Sequence, residues 1–344
     1  MRLRMAATGP DEGGSMQWRI EDGELDLGPW WRRLINQAGV GGLPADLALT
    51  GVAKLSGGGV WRDGQSQGGL RVEMVDGAAS SAMQNWIVPS FRIAAQFARQ
   101  GEGFVAQSLV LHAAEASVAG VVLRNLSLDA VGDEQGRLVV RAAGVDALGG
   151  RIALKPFTVD PLNPEIETTA ELAGVALSQL AALVPEALRE ASGQVSGRVE
   201  VKWSATLGPR VGTGALTVTP ESPAKFRLAA TPGFLTQHAP ERISLVPETW
   251  GALARWLSFE NPAYDTLRRI ELGELPLKVE ELSVALYPDG PGGPRSAAVR
   301  VTARPMAGSV VDQVTFAINI AGPLDQVLRL GASDRVKLKF DSSR

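Results

Sequence analysis

The sequence predicts a mostly β protein made of antiparallel strands with a few short helices. Apolar residues recur with a period of two in most segments. Gly, Asp or Asn separates these segments at roughly 8 to 14 residue intervals, and helical stripes are few and short. In Val199–Leu207, "VEVKWSATL", Val199, Val201, Trp203, Ala205 and Leu207 share one face while Glu200, Lys202, Ser204 and Thr206 share the other. That is the pattern of a strand with one wet side. The same alternation appears in "AAVRVTAR", where Val299, Val301 and Ala303 oppose Arg300, Thr302 and Arg304, and in "VTFAINI" through Val314, Phe316, Ile318 and Ile320.

Further strands are predicted at 47–55, 69–75, 91–98, 108–113, 121–130, 138–143, 166–172, 214–218, 242–246 and 279–287. Their short spacing favours hairpins over βαβ crossovers. In "GGRIALKPFTVDP", 149–161, two glycines open a strand and two prolines close it, so the chain is expected to turn sharply at both ends. "SGGGVW", 56–61, reads as a turn or bulge, because it lacks the Gly-Lys-Ser/Thr of a phosphate loop. Short helices are predicted in "PWWRRLIN", "ALSQLAALVPEALRE", "PETWGALARWLSF", "NPAYDTLRRI" and "GPLDQVLRL", as plugs or caps on the sheet.

Composition narrows the function classes. The chain has 344 residues, 45% hydrophobic and 21% charged, with 39 Gly and 21 Pro, which suits a folded, turn-rich protein. A net charge of -3 offers no source for phosphate neutralisation, so nucleic acid is not an expected partner. Zero cysteines exclude disulfides and thiolate metal sites, and two histidines leave little for metal chemistry. No signal peptide is recognised, and no window reaches the ~18 apolar residues of a membrane span.

No catalytic residue, metal ligand or cofactor site stands out. His112 lies among Leu109 and Leu111 and should leave the sheet on the face opposite theirs, while His238 falls in a loop; neither has a ligand at metal spacing. The carboxylate groups at 21–26 and at Glu271, Glu274, Glu280 and Glu281 read as solvated faces rather than an acid–base pair. No G-x-S-x-G elbow is present. Trp30, Trp31, Trp250 and Trp256 fall in the predicted short helices, where they serve either as core plugs or as seats at a lipid interface.

The stretch 148–185, "LGGRIALKPFTVDPLNPEIETTAELAGVALSQLAALVP", resembles the YdbH-like family of AsmA-like intermembrane phospholipid transport proteins, in their C-terminal region. The likeness continues through 193–203, 261–290 and "VTFAINIAGPLDQVLRL" at 314–330. It implies a long, curved antiparallel sheet forming an open, taco-like groove that shields phospholipid acyl chains between two membranes. It also implies a place in the periplasm-facing cell envelope with an inner-membrane anchor, and inner- and outer-membrane proteins as partners. The family's N-terminal membrane helix is missing here, which implies either a truncated chain or a short relative. A single groove domain is expected over 16–340, best matched at 148–330, with 1–15 disordered or non-native. On this reading Val199, Val201, Trp203, Val299, Val301, Phe316 and Ile318 line the groove. The rival expectation is a structural or assembly factor of the envelope, its groove filled by its own side chains.

Overall fold

The computed structural model describes residues 2–9, 15–28, 31, 33, 46–62, 65–100, 103–118, 120–182, 188–204, 208–237, 239–244, 246, 249, 258–287, 297–306, 309–320 and 339–340. The fold is mostly β, an extensive antiparallel sheet that is not closed into a barrel. The chain forms two compact units, Met1–Leu172 with Val199–Gly212, and Ala173–Arg198 with Thr213–Arg344.

The first unit is built from β1 (Arg2–Thr8), β2 (Met16–Asp26), β3 (Ala48–Thr50), β4 (Val52–Arg62), β5 (Gln65–Ser81), β6 (Trp86–Gln100), β7 (Gly103–Val118), β8 (Val121–Gly132), β9 (Leu138–Ala147), β10 (Gly150–Leu154) and β11 (Phe157–Val159). From β4 to β10 each strand pairs antiparallel with the next, a meander of hairpins as the short connections demand. β2 joins it through β4, and β1 through β2. Residues 2–8 thus form a strand.

The strands are longer than the alternation indicated: β5 spans 17 residues where 69–75 was expected. Bulges explain the shortfall. In β5 the apolar phase runs through Leu70, Val72 and Met74, then slips to Gly77 and Ala79 across two register shifts. In β6 it passes from Trp86 and Val88 to Phe91, Ile93, Ala95 and Phe97. An extra residue inverts the in–out pattern, so a strand that continues looks finished; it also bends the strand and raises its twist.

The glycine-rich stretch at 56–61 is neither turn nor bulge but the interior of β4, with Gly58 and Gly59 opposite Gly69 and Gly68 of β5. The indole of Trp18 lies over this strip. A Cβ on Gly68 would come within 2.7 Å of the Gly59 Cα and 2.9 Å of Trp18 Cζ2. Gly68→Val is therefore expected to destabilise the protein by about 2 kcal/mol through overpacking. A thermal melt with a tryptophan emission spectrum checks this, and an unchanged melt would refute it.

The turn at the start of 149–161 is as expected: Leu148 (φ 52) and Gly149 (φ 74) form a two-residue hairpin turn between β9 and β10. At the other end the two prolines differ. Pro156 interrupts the ladder without turning the chain, since Leu154 pairs with Ala143 and Phe157 with Val140, still in register, and the chain turns only after Pro161, where 161–163 bend before the next strand. Proline removes one donor and leaves the direction unchanged.

β12 (Glu165–Ala176) leads into the second unit, followed by α1 (Leu177–Ala181), β13 (Leu188–Ser192), β14 (Gln194–Ser204), β15 (Gly208–Val218), β16 (Lys225–Leu228), β17 (Arg242–Ser244), β18 (Ser258–Glu260), α2 (Pro262–Glu271), β19 (Leu277–Leu286), β20 (Ala297–Pro305), β21 (Val314–Ile320) and β22 (Lys339–Phe340). α1 is shorter than its apolar stripe predicted, because the chain re-enters a strand at Leu188. α2 forms as predicted. Asn261 caps it by accepting from the Ala263 N–H at 3.1 Å, Pro262 opens it, Asp265 and Arg268/Arg269 sit at the ends their charges favour, and Gly273 (φ 69) ends it. Its Ile270 is fully buried with Leu275, Leu277 and Ala303 in the second unit's core. The helices predicted at 247–259 and 322–330 lie essentially outside the described residues, as does His238; of 29–36, Trp31 and Arg33 are helical, and Trp31 is buried.

Candidate functional site

In the first unit the hairpin registers align apolar side chains into rows that cross the strands. One row runs Leu55, Val72, Ala95, Leu109, Ala130, Val140, Phe157. A second, two residues along, runs Ala53, Met74, Ile93, Leu111, Leu128, Ala143, Leu154. A shorter third runs Ile20, Gly57, Leu70, Phe97, Ala106. None of these positions carries a charge or a hydrogen-bonding side chain.

The reverse face differs. Between the first two rows it presents Lys54, Glu73, Ala94, Val110, Asp129 and Ala142, and beside the first it presents Ser56, Arg71, Gln96 and Ser108. Arg71 and Glu73 form an ion pair there. His112 is exposed, as its place between Leu111 and Ala113 requires.

Ala53, Ala95 and Ala130 are 4%, 3% and 0% exposed, and Met74 and Val140 are buried with them. Leu55, Val72, Leu109, Leu111, Leu128, Leu154 and Phe157 stay half-buried, as do Ala106 and Ala143. The rows thus form an uneven apolar surface in which half-buried side chains alternate with buried ones. On its β3 side Leu27, Leu49, Ala79, Val88, Ile93 and Leu126 pack onto Met74, Phe91 and Ala113 in a small core, which takes in Met74 and Ile93 of the second row. Gly77 makes room there, since a Cβ would meet the Phe91 ring at 2.5 Å.

The residues expected to line a groove fall in two groups. Val199, Val201 and Trp203 take alternate positions of β14 in the first unit, Val199 buried and the others half-buried. Val299, Val301, Phe316 and Ile318 lie in the second unit, where Val301 pairs with Phe316 and Val299 with Ile318. On its other side Val301 faces Leu282. Phe316 is 6% exposed, edge-on to Phe226 at 5.9 Å and stacked with Phe234 at 6.4 Å. The crossing rows of the first unit escape a reading strand by strand. Their signal was present in the alternation of 70/72/74, 93/95/97 and 109/111, but alignment into rows depends on register.

Glu271 is not on a solvated face. It is 2% exposed, and its carboxylate accepts from the Leu235 N–H (2.8 Å), the Thr236 N–H (3.1 Å) and the Thr236 hydroxyl (2.9 Å). Burial opposes its charge, yet the bonds from Leu235, Gly233 and Thr236 outweigh it and hold the carboxyl below its ordinary value of 4.5. The last turn of α2 carries Glu271 inward to tie down the 231–237 turn that brings Phe234 onto Phe316. Among the described residues no cluster of His, Asp or Glu is arranged for a metal, and no helix is long and apolar enough to cross a membrane.

Residues 31–232 match the family model for YdbH-like proteins, described as intermembrane phospholipid transport protein YdbH. The match takes in the 148–185 and 193–203 stretches; 261–290 and 314–330 fall beyond it. No curated protein and no solved structure matches the chain. With more than half of its residues inside that match, the chain belongs to the YdbH-like family of intermembrane phospholipid transport proteins.

Proposed function

We propose that the chain carries phospholipid between the two membranes of a cell envelope, with acyl chains lying along the apolar rows of the first unit, across its strands. The observation that carries this reading is the continuity of the rows: seven consecutive register positions without a polar side chain, twice over. Six inter-strand steps of about 4.8 Å make each row about 29 Å long. One leaflet of a bilayer's hydrocarbon core is about 15 Å thick, so an acyl chain fits lengthwise with room to advance.

Shielding is the whole chemistry. Each CH₂ removed from water is worth about 0.8 kcal/mol, and a charge-free furrow keeps that gain nearly constant along its length, so the lipid meets no deep trap. No bond is made or broken and no cofactor is called for. The polar reverse face with its exposed ion pairs suits an aqueous, periplasm-facing setting, with inner- and outer-membrane proteins as partners at the ends of the path. The aromatic cluster of Phe226, Phe234 and Phe316 favours a structural role for that part of the second unit, as an assembly factor would have.

The test is lipid capture. Protein purified from a bacterial host is expected to release phospholipid into an organic extract, read by mass spectrometry at about one molecule or more per chain. Lipid no higher than in an unrelated β protein prepared alongside would overturn the proposal.

A further inference from the structure

The first unit has two unlike rims, one formed by each set of hairpin turns. Arg62, Arg99, Asp133, Glu134 and Arg137 mark one rim, where β4 meets β5, β6 meets β7 and β8 meets β9. At the other, the β5–β6 and β7–β8 turns emerge side by side, and neither 77–91 nor 116–123 contains a charged residue. Yet this uncharged rim is exposed: Met83 is 78% accessible, Ile87 56%, Val122 47% and Val118 42%. Side chains this apolar and this exposed, clustered at one edge, call for an occupant.

We infer that this rim, built around Met83, Trp86, Ile87, Val118 and Val122, seats in the interfacial layer of a lipid surface. Three features favour lipid over a folded partner. First, the apolar side chains point both ways. Trp86, Val118 and Val121 share one face by register, while Ile87 and Val122, joined through Ser117, share the other. A rigid partner laid on one face covers half of them, whereas fluid lipid surrounds an edge.

Second, the backbone N–H groups of the tip and the Trp86 indole are already satisfied, which favours entry into a low dielectric. Asn85 N–H donates to the Ala82 carbonyl at 3.2 Å, Gln84 N–H to Ser81 Oγ at 3.2 Å, and Trp86 Nε1–H to Gln84 Oε1 at 3.2 Å. The charge that reaches this turn, Asp46, accepts from Ser81 Oγ (2.8 Å) and the Met83 N–H (2.7 Å). Third, the turns themselves carry no charge; it returns further in, at the exposed Glu115 and Arg124, which pair by register, and at the Asp146–Arg151 ion pair (3.1 Å) across β9 and β10. An indole with its N–H engaged, next to exposed aliphatic side chains, is the composition of an interfacial anchor.

This inference does not depend on lipid carriage, and its test is separate. The full chain is floated with phosphatidylcholine vesicles. It is expected to rise with them, undiminished by added salt because no ion pair is involved. Met83→Asp with Ile87→Asp is expected to weaken partitioning about tenfold or more. Gln67→Asp with Gln135→Asp, towards the charged rim, leaves partitioning unchanged.

Brominated phosphatidylcholine is expected to quench part of the fluorescence, and Trp86→Phe to abolish that part. If the aspartates lower the melting temperature, Met83→Gln with Ile87→Thr makes the same comparison without charge, with a several-fold loss expected. Wild-type protein that stays with the pellet, rim variants that float like wild type, or quenching that survives Trp86→Phe would each overturn the inference. Lipid captured in the extract without flotation would overturn this inference alone and leave carriage standing.

Discussion

Leu111→Asp is expected to cut lipid transfer between vesicles by about tenfold or more while leaving a cooperative melt. Leu111 stands half-buried between Ile93 and Leu128 in the second row, so a carboxylate there reaches solvent and the fold tolerates it. The loss of one half-buried leucine costs about 1–2 kcal/mol of stability. An acyl chain crossing that position, however, must strip water from the ion, and that barrier recurs with every lipid that passes. Phe316→Asp is expected to behave in the opposite sense. Its ring is enclosed by Phe226 and Phe234, so the charge cannot be solvated without opening the core, at a cost of about 4 kcal/mol or more. Arg300→Glu, on an exposed face of the same β20, is expected to change neither readout appreciably. Circular dichroism melts beside a transfer or photo-crosslinking assay separate the cases; a collapsed melt for Leu111→Asp would show that the rows are a packed core and not a path.

Glu271→Ala is expected to destabilise the protein by about 3 kcal/mol, because three donors of the 231–237 turn lose a buried charged acceptor together. Glu271→Gln retains one acceptor and should lose about half as much. The pH dependence has a definite sign. The folded-state pKa lies below 4.5, so the carboxylate's contribution is complete above that value and declines as pH falls towards and through the depressed one. The stability gap between wild type and Glu271→Gln is accordingly expected to be constant from neutral pH to about 5 and to narrow in more acid solution. Denaturant titrations at several pH values measure it, and a gap that widens in acid would contradict the assigned hydrogen bonds.

The fold class was legible in the chain because a strand with one wet face writes its orientation into every second residue. "VEVKWS", "AAVRVTAR" and "VTFAINI" are strands, and Asn261-Pro262 announces α2 through local capping. Local rules held where local interactions are decisive. They failed where a neighbour intervenes: bulges in β5 and β6 invert the apolar phase and hide strand length, the Gly57–Gly59 run is a strand because Gly68 and Gly69 lie opposite it under Trp18, and Pro156 sits in a ladder held in register by β9.

The family was likewise legible, because the order of its strand and turn phrases survives in sequence. Which apolar residues join into rows was not. Alternation states which face a residue takes but not its partner on the next strand, and the partner depends on turn length and bulges summed over each hairpin. Thus Val72, Leu109 and Phe157 fall into one row through five pairings, and Phe316, indistinguishable from them by pattern, is enclosed by Phe226 and a turn tied down from α2. Glu271 shows the same divide: grouped with Glu274, Glu280 and Glu281 it reads as a solvated face, and its buried carboxylate meets donors 35 and 36 residues away in the chain.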